Sequence, residues 1–257
     1  MNLTQTSKRI LLSSLLALPL SLHAFAEPAK SWPAPIKALE KQGYEILGSF
    51  KAPDGMTGYT AMLLTRPQTI YLTPGGDKAI VGTMIDANGD NWNQQLLDKQ
   101  FSTALWQQLE HSAWVADGDS KAPRVIYAFT DPNCPYCSKF WNDARPWVKA
   151  GKVQIRHILV GIIKADSTGK AAAILADANP SAALNRHELQ HASGGVKPLS
   201  KIPQPIQDKL SINQKLMERF GAFATPTILY RDASGTMQRM QGAPSSAAKL
   251  KEVMEGK

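Results

Sequence analysis

The sequence predicts three parts in order: a small α+β unit over residues 27–90, a joining helix over 91–120, and an α/β domain over 121–257. Three observations carry that division. Residues 27–90 hold short runs of β-forming residues separated by the turn clusters Pro53-Asp54-Gly55 and Pro74-Gly75-Gly76-Asp77. Leu97, Phe101, Leu105 and Leu109 recur every four residues, and no Pro or Gly interrupts Trp92 to Ala116. From residue 121 the pattern runs βαβ, then a helical block, then ββα.

Composition removes several classes. The 257 residues are 43% hydrophobic and 19% charged, which excludes a disordered chain. Two cysteines are too few for a disulfide-stapled scaffold, and too few for a cysteine-rich zinc site without histidine help. The formal net charge of +8 is uneven: residues 27–90 carry net −1, residues 91–120 net −3, and residues 121–257, with 20 basic and 10 acidic side chains, net +10. No basic cluster is interleaved with aromatic residues, so the charge reads as a solvated surface able to attract acidic partners, with no nucleic-acid site.

Residues 1–26 read as a secretory signal. Lys8 and Arg9 precede the apolar run Ile10 to Leu22, and Ala24-Phe25-Ala26 forms a small-x-small cleavage site. The run is shorter than the roughly 20 residues of a membrane span. The mature chain is expected to start at Glu27 and to be exported to a compartment where disulfide chemistry is permitted, which the family resemblance below makes the periplasm. Pro33 and Pro35 then open a short helix carrying Ile36 and Leu39. Tyr44–Phe50, Tyr59–Leu64, Thr69–Thr73 and Ala79–Ile85 read as consecutive antiparallel strands. So small a unit has a thin core, which favours association with a second copy.

In the larger domain, Val125 to Phe129 is a short buried strand. A helix is expected from Cys134 to about Ala150, kinked by Pro146 and ended by Gly151. Val153 to Ile163 reads as a strand, and residues 167–220 as mainly helical, broken at Pro198, Pro203 and Pro205. Thr227–Tyr230 and Met237–Met240 flank the turn Asp232-Ala233-Ser234-Gly235. A last helix begins at Ser245 or Ser246 as N-cap and runs to Met254. Phe140, Trp141 and Trp147 read as core.

Both cysteines fall in Cys134-Pro135-Tyr136-Cys137, directly after a strand and at the start of a helix. Positions i and i+3 share one helix face, at a separation that a disulfide bridges. Cys134 there meets unpaired backbone N–H groups and the positive end of the helix dipole, which favour thiolate over thiol. Cys137, one turn inside, is expected to be more buried and to resolve a mixed disulfide formed on Cys134. Pro135 is tolerated because first-turn amides have no helical partner. Thr225-Pro226 precedes the strand Thr227–Tyr230, and in redox proteins of this kind a cis proline faces the C-x-x-C.

Phe129 to Cys137, the helix with Phe140, Trp141 and Ala144-Arg145-Pro146-Trp147, the strand ending Val160-Gly161-Ile162-Ile163, and Ala224-Thr225-Pro226 resemble the periplasmic DsbC/DsbG thiol:disulfide interchange (disulfide isomerase) family. The Cys-Pro-Tyr-Cys and Ala-Arg-Pro-Trp stretches look most like the DsbG branch, as does the lack of a second cysteine pair. The resemblance covers essentially the whole mature chain. It implies a cystatin-like dimerisation domain (27–90), a linker helix (91–120), and a thioredoxin-fold domain (121–257) with a helical insertion at about 167–214. It further implies a homodimer, reduction by a membrane protein of the DsbD type, and isomerase or reductase action on exported clients bearing disulfides or sulfenylated cysteines. Chaperone-like binding of clients comes with it. The catalytic pair would be Cys134 and Cys137, supported in a substrate groove by Pro135, Tyr136, Thr225 and Pro226, with no cofactor and no metal. Thioredoxin's own buried acid has no counterpart, since Ala128 occupies its position.

Three other readings stand beside this one. His187-Glu188-Leu189-Gln190-His191 matches H-E-x-x-H, the pattern of a zinc-dependent exported hydrolase, although no histidine follows to complete a ligand set. A solvated helix face is the expectation for it. The C-x-x-C as half a zinc site would need His157 and a further ligand. A mainly chaperone-like binding module is the third reading, motivated by the separate 27–90 unit, which catalysis alone does not require.

Overall fold

The computed structural model describes residues 31–64 and 66–256, and the expected signal segment at 1–26 lies outside them. The chain divides into units 1–32 and 33–257, and every element described here belongs to the second. Helix α1 (Ala34–Lys41) takes Pro35 into its first turn and buries Ile36. Gly43, at φ 93°, turns the chain out of it. Four antiparallel strands follow in sheet order: β1 (Tyr44–Lys51), β2 (Thr57–Leu63), β3 (Arg66–Leu72) and β4 (Ala79–Val81). The last is shorter than the apolar run Ala79–Ile85: it ends at Val81, after which Gly82 at φ 152° makes one more bond, to the Thr69 carbonyl.

Helix α2 (Gln94–Glu110) serves two cores. Leu97 packs with Phe50, Ala52 and Tyr71 of the first sheet, while Trp106 and Leu109 join the core of a second sheet. The helix is shorter than the uninterrupted stretch Trp92–Ala116 suggested. Trp114–Asp117 instead form strand β5, paired antiparallel with β7 (Val153–Leu159). The cause is tertiary: the fully buried Asn213 side chain accepts from the Ala113 N–H at 3.1 Å and donates to the carbonyls of Ala113 at 3.1 Å and Leu159 at 3.0 Å. That clasp draws residue 113 to the end of β7 and starts a strand where helical spacing still continues.

The second sheet runs β5-β7-β6-β8-β9, with β6 (Arg124–Thr130), β8 (Thr227–Arg231) and β9 (Met237–Gln241). Only β6 and β7 pair in parallel. Their crossover is two helices, not one: α3 (Pro135–Asp143) ends at Ala144, and Pro146 sits in the first turn of α4 (Arg145–Lys149). Along β6, Tyr127 and Phe129 face Trp106, Phe220 and Leu229, while Ile126 and Ala128 face Phe140, Ile228 and Val253. Both faces of this strand are therefore covered, as a nearly continuous apolar run requires.

β7 stops at Leu159, short of the expected Ile163, because the amides of Ile162 and Ile163 turn to the Asp131 carboxylate. The helical insertion is α5 (Ser167–Ala176), α6 (Pro180–Leu189), a 3-10 turn at His191–Ser193 and α7 (Gln204–Arg219), so it runs five residues past 214. It packs Ile174, Leu184 and Leu210 against Val115 and Leu159. Helix α8 (Ala247–Glu255) is capped by Ser246, whose hydroxyl accepts from the Lys249 N–H. Phe140 and Trp141 lie in the core, whereas Trp147 is half-buried and donates to Glu255.

Asn213→Ala leaves a buried N–H and two carbonyls unpaired, at about 1–3 kcal/mol for each unsatisfied group. Denaturant unfolding should record that loss, and a change below about 0.5 kcal/mol would remove Asn213 as the clasp between β5 and β7.

Candidate active site

Cys134 is the N-cap of α3, with φ −84° and ψ 112°, and its sulfur accepts from the Cys137 N–H at 3.2 Å. A sulfur here takes the place of the usual capping oxygen. Pro135 opens the helix without a wasted donor, and Cys137 follows on the same face. The register Phe129↔Thr227 carries the chain before β8 alongside the end of β6. There the Thr225–Pro226 peptide bond is cis, and the Cys134 thiol donates to the Thr225 carbonyl at 3.1 Å. Of the six residues singled out in the sequence, Cys134, Cys137, Thr225 and Pro226 come together. Pro135 and Tyr136 lie exposed at the rim, Tyr136 at 63%. Phe223, two residues before Thr225, is 81% exposed.

The two thiols are unbridged and differ in ionisation. Their exposures are alike, 1% for Cys134 and 2% for Cys137, so depth below the surface separates them. The hydrogen bond with Cys137 brings the Cys134 thiol down to about 7, against the opposing effect of burial; Thr225 and the amides of Cys137 and Tyr136 add to it. Burial, with Cys134 beside it, pushes Cys137 well above the ordinary thiol range. One sulfur is thus prepared as a thiolate and the other kept as a thiol. A stabilised thiolate also stabilises the reduced pair.

The loop between β6 and α3 is held by groups that spacing did not reveal. Asp131, 1% exposed, accepts from Asn133 N, Ser167 Oγ, and the amides of Ile162 and Ile163 at 2.7–2.9 Å. Asn133 is tied to Asp166, Ser167 and the buried Lys170. The Asp-Pro-Asn sequence is a recognisable loop signal, but its partners lie some 30 or more positions away and have no local signature.

In the H-E-x-x-H segment, His187 and Glu188 do not lie on the solvated face expected of them. His187 is 1% exposed and Glu188 4%. His187 donates from Nε2 to the Pro132 carbonyl at 2.7 Å and accepts at Nδ1 from Val196 N at 3.2 Å, so neither ring nitrogen is open to a cation. Gly195 passes so close that a Cβ there would lie 2.3 Å from that Nδ1. Among the described residues no three His, Cys, Asp or Glu side chains are grouped as metal ligands. His157 is engaged elsewhere, with Nδ1 2.9 Å from Thr130 Oγ1.

A family model for a thioredoxin-like domain matches residues 110–256. The thiol:disulfide interchange protein DsbG of Pseudomonas aeruginosa is 47% identical over 240 residues, spanning 92% of this chain and 94% of that protein. The chain belongs to the DsbG family. DsbG of Escherichia coli is 44% identical over 245 residues, with 92% and 94% covered. DsbC of Dickeya dadantii is more distant, 27% identical over 154 residues and 59% of each chain. This DsbG-family chain is a thiol:disulfide interchange protein, a thiol–disulfide oxidoreductase.

Alkylation of the reduced protein by iodoacetamide, read by mass spectrometry, should label Cys134 with a midpoint near pH 7, the rate falling as pH falls through that value. Cys137 should stay unlabelled throughout. A Cys134 midpoint at the ordinary thiol value of about 8.5 would show that the cap does not stabilise the thiolate.

Proposed function

We propose that Cys134 is the attacking thiolate and Cys137 the resolving thiol of a dimeric periplasmic disulfide isomerase/reductase. The observation that carries this reading is the Cys134 sulfur at the helix N-cap, lowered toward neutrality, with the Thr225–Pro226 peptide beside it and a protonated Cys137 behind. Thiolate attack on a client disulfide or sulfenic acid gives a mixed disulfide on Cys134. Cys137 then displaces the client, leaving a Cys134–Cys137 disulfide for a membrane reductant of the DsbD type. Pro135, Tyr136, Thr225 and Pro226 line the groove, and the exposed Tyr136 and Phe223 offer apolar contact to an unfolded client.

The chain acts after export and removal of residues 1–26, with Glu27 as the new N-terminus. Residues 27–90 serve as the dimerisation domain and 91–120 as the linker to the catalytic domain at 121–257. Support for dimerisation comes from β4, a sheet edge whose Ile80 is 57% exposed. Such an edge is a template for another chain. Clients are exported proteins with cysteines, and chaperone-like binding accompanies the chemistry.

Cys134→Ser should abolish insulin reduction, and Cys137→Ser should accumulate mixed disulfides with periplasmic proteins on non-reducing gels. Wild-type reduction by Cys134→Ser would refute the assignment. Light scattering or sedimentation of the mature chain should report a dimer.

A further inference from the structure

Pro132 and Asn133 alone link Asp131, just past β6, to Cys134 at the N-cap of α3. Pro132 has no N–H, so its carbonyl is the one polar group by which its backbone can be held. That carbonyl accepts from His187 Nε2 of α6 at 2.7 Å. At the other side of the same peptide plane, the Asn133 N–H donates to Asp131 Oδ1 at 2.8 Å. A planar unit gripped at both polar ends cannot tilt freely. The Asn133 side chain is gripped likewise, by the buried Lys170 at its oxygen (2.8 Å) and by Asp166 and Ser167 at its nitrogen (both 2.9 Å). The Cys134 N–H then closes on the Asp131 carbonyl at 3.0 Å.

His187 is itself fixed from behind. It is buried, and its Nδ1 accepts from the Val196 N–H at 3.2 Å, which leaves the ring proton on Nε2, the atom that faces Pro132. Gly195, at φ 66°, brings the backbone against the ring where a Cβ would lie 2.3 Å from Nδ1. The His191 ring stands edge-on beside it, with centroids 5.8 Å apart. An aliphatic side chain would fill the same space. What histidine adds is one donor and one acceptor in line between two backbone groups.

We propose that His187 is a positioning residue for the attacking sulfur: by fixing the Pro132–Asn133 peptide, it sets Cys134 where its sulfur meets the Cys137 amide. The inference rests on the role assigned above to Cys134. The capping contact from the Cys137 N–H to the sulfur is 3.2 Å, and such contacts weaken steeply as their geometry departs. Without the His187 donor, the Pro132 carbonyl is left buried and unpaired, so the peptide must turn to find another partner. That turn carries Asn133 and Cys134 with it. The sulfur then loses its amide, and the thiolate its stabilisation. Being buried, His187 reaches the reaction only through where Cys134 stands.

The test is the pH profile of Cys134 alkylation by iodoacetamide in reduced His187→Leu and His187→Gln, with denaturant unfolding of the same samples. Leucine keeps the bulk and removes both hydrogen bonds, whereas glutamine keeps one donor and one acceptor. In His187→Leu the midpoint should rise from about 7 toward the ordinary thiol value of about 8.5. Labelling at pH 7 should fall about 4-fold, since the smaller thiolate fraction is partly offset by greater nucleophilicity. His187→Gln should recover most of the shift, however much stability either variant loses. An unmoved midpoint in His187→Leu overturns the proposal and leaves His187 a structural role, and an equal shift in the two variants overturns it too. Should His187→Leu fail to fold, the ring nitrogen chemical shifts of the reduced wild type decide: a proton on Nε2 is expected, and one on Nδ1 overturns the proposal. A wild-type midpoint at the ordinary thiol value marks a different failure, that of Cys134 as a prepared thiolate, and this inference falls with it.

Discussion

The carboxylate of Asp131 is the interaction on which the site depends. It stands where β6 ends and gathers the amides of Asn133, Ile162 and Ile163 and the hydroxyl of Ser167. Buried charge is tolerated only when hydrogen bonds replace the water it has lost. Here those bonds join the loop before α3, the chain after β7 and the first turn of α5. Cys134 is placed by that knot: with the loop fixed, the first amides of α3 must point at whatever occupies the N-cap, and the occupant is a sulfur. The lowered thiol follows from position more than from any neighbouring cation, since its causes are hydrogen bonding with Cys137 and Thr225 and the backbone amides of Cys137 and Tyr136.

The helical insertion is therefore more than a decoration on the sheet. Its α5 grips Asn133 through Ser167 and Lys170, and its α6 grips the Pro132 carbonyl through His187. Each contact falls within three residues of Cys134. The neutral tautomer of His187 is dictated by what it touches, a carbonyl on one side and an N–H on the other. Its titration is lowered by burial first and by nearby positive charge from His191 and Lys170. Protonation would set a donor against the Val196 N–H, so the loop is held most firmly by the uncharged ring.

Much of this was legible from the residues. The turn clusters and β-forming runs placed the first sheet, and the tetrapeptide between a strand and a helix placed the cysteines. The errors share one cause, contacts remote in sequence. Trp114–Asp117 continue a helical pattern until Asn213, a hundred positions on, claims the backbone of Ala113. Ile162 and Ile163 look like strand until Asp131 takes their amides. Pro146 signalled a kink, but whether a helix bends or breaks depends on packing around Ala144, which is fully buried. His187 belonged to a conspicuous pattern, but its meaning lay in Pro132 and Val196, and spacing within a helix says nothing of those.

Helix α2 has a mechanical consequence. Its first turns are packed into the core of one sheet and its last turns into the core of the other, with Leu97 at one end and Leu109 at the other. A segment shared between two cores couples their melting, because unwinding it for one strips apolar contacts from both. Residues 33–257 should accordingly lose structure as one cooperative body, and the first sheet cannot be loosened without a thermodynamic signal reaching the strand that ends in the active-site loop.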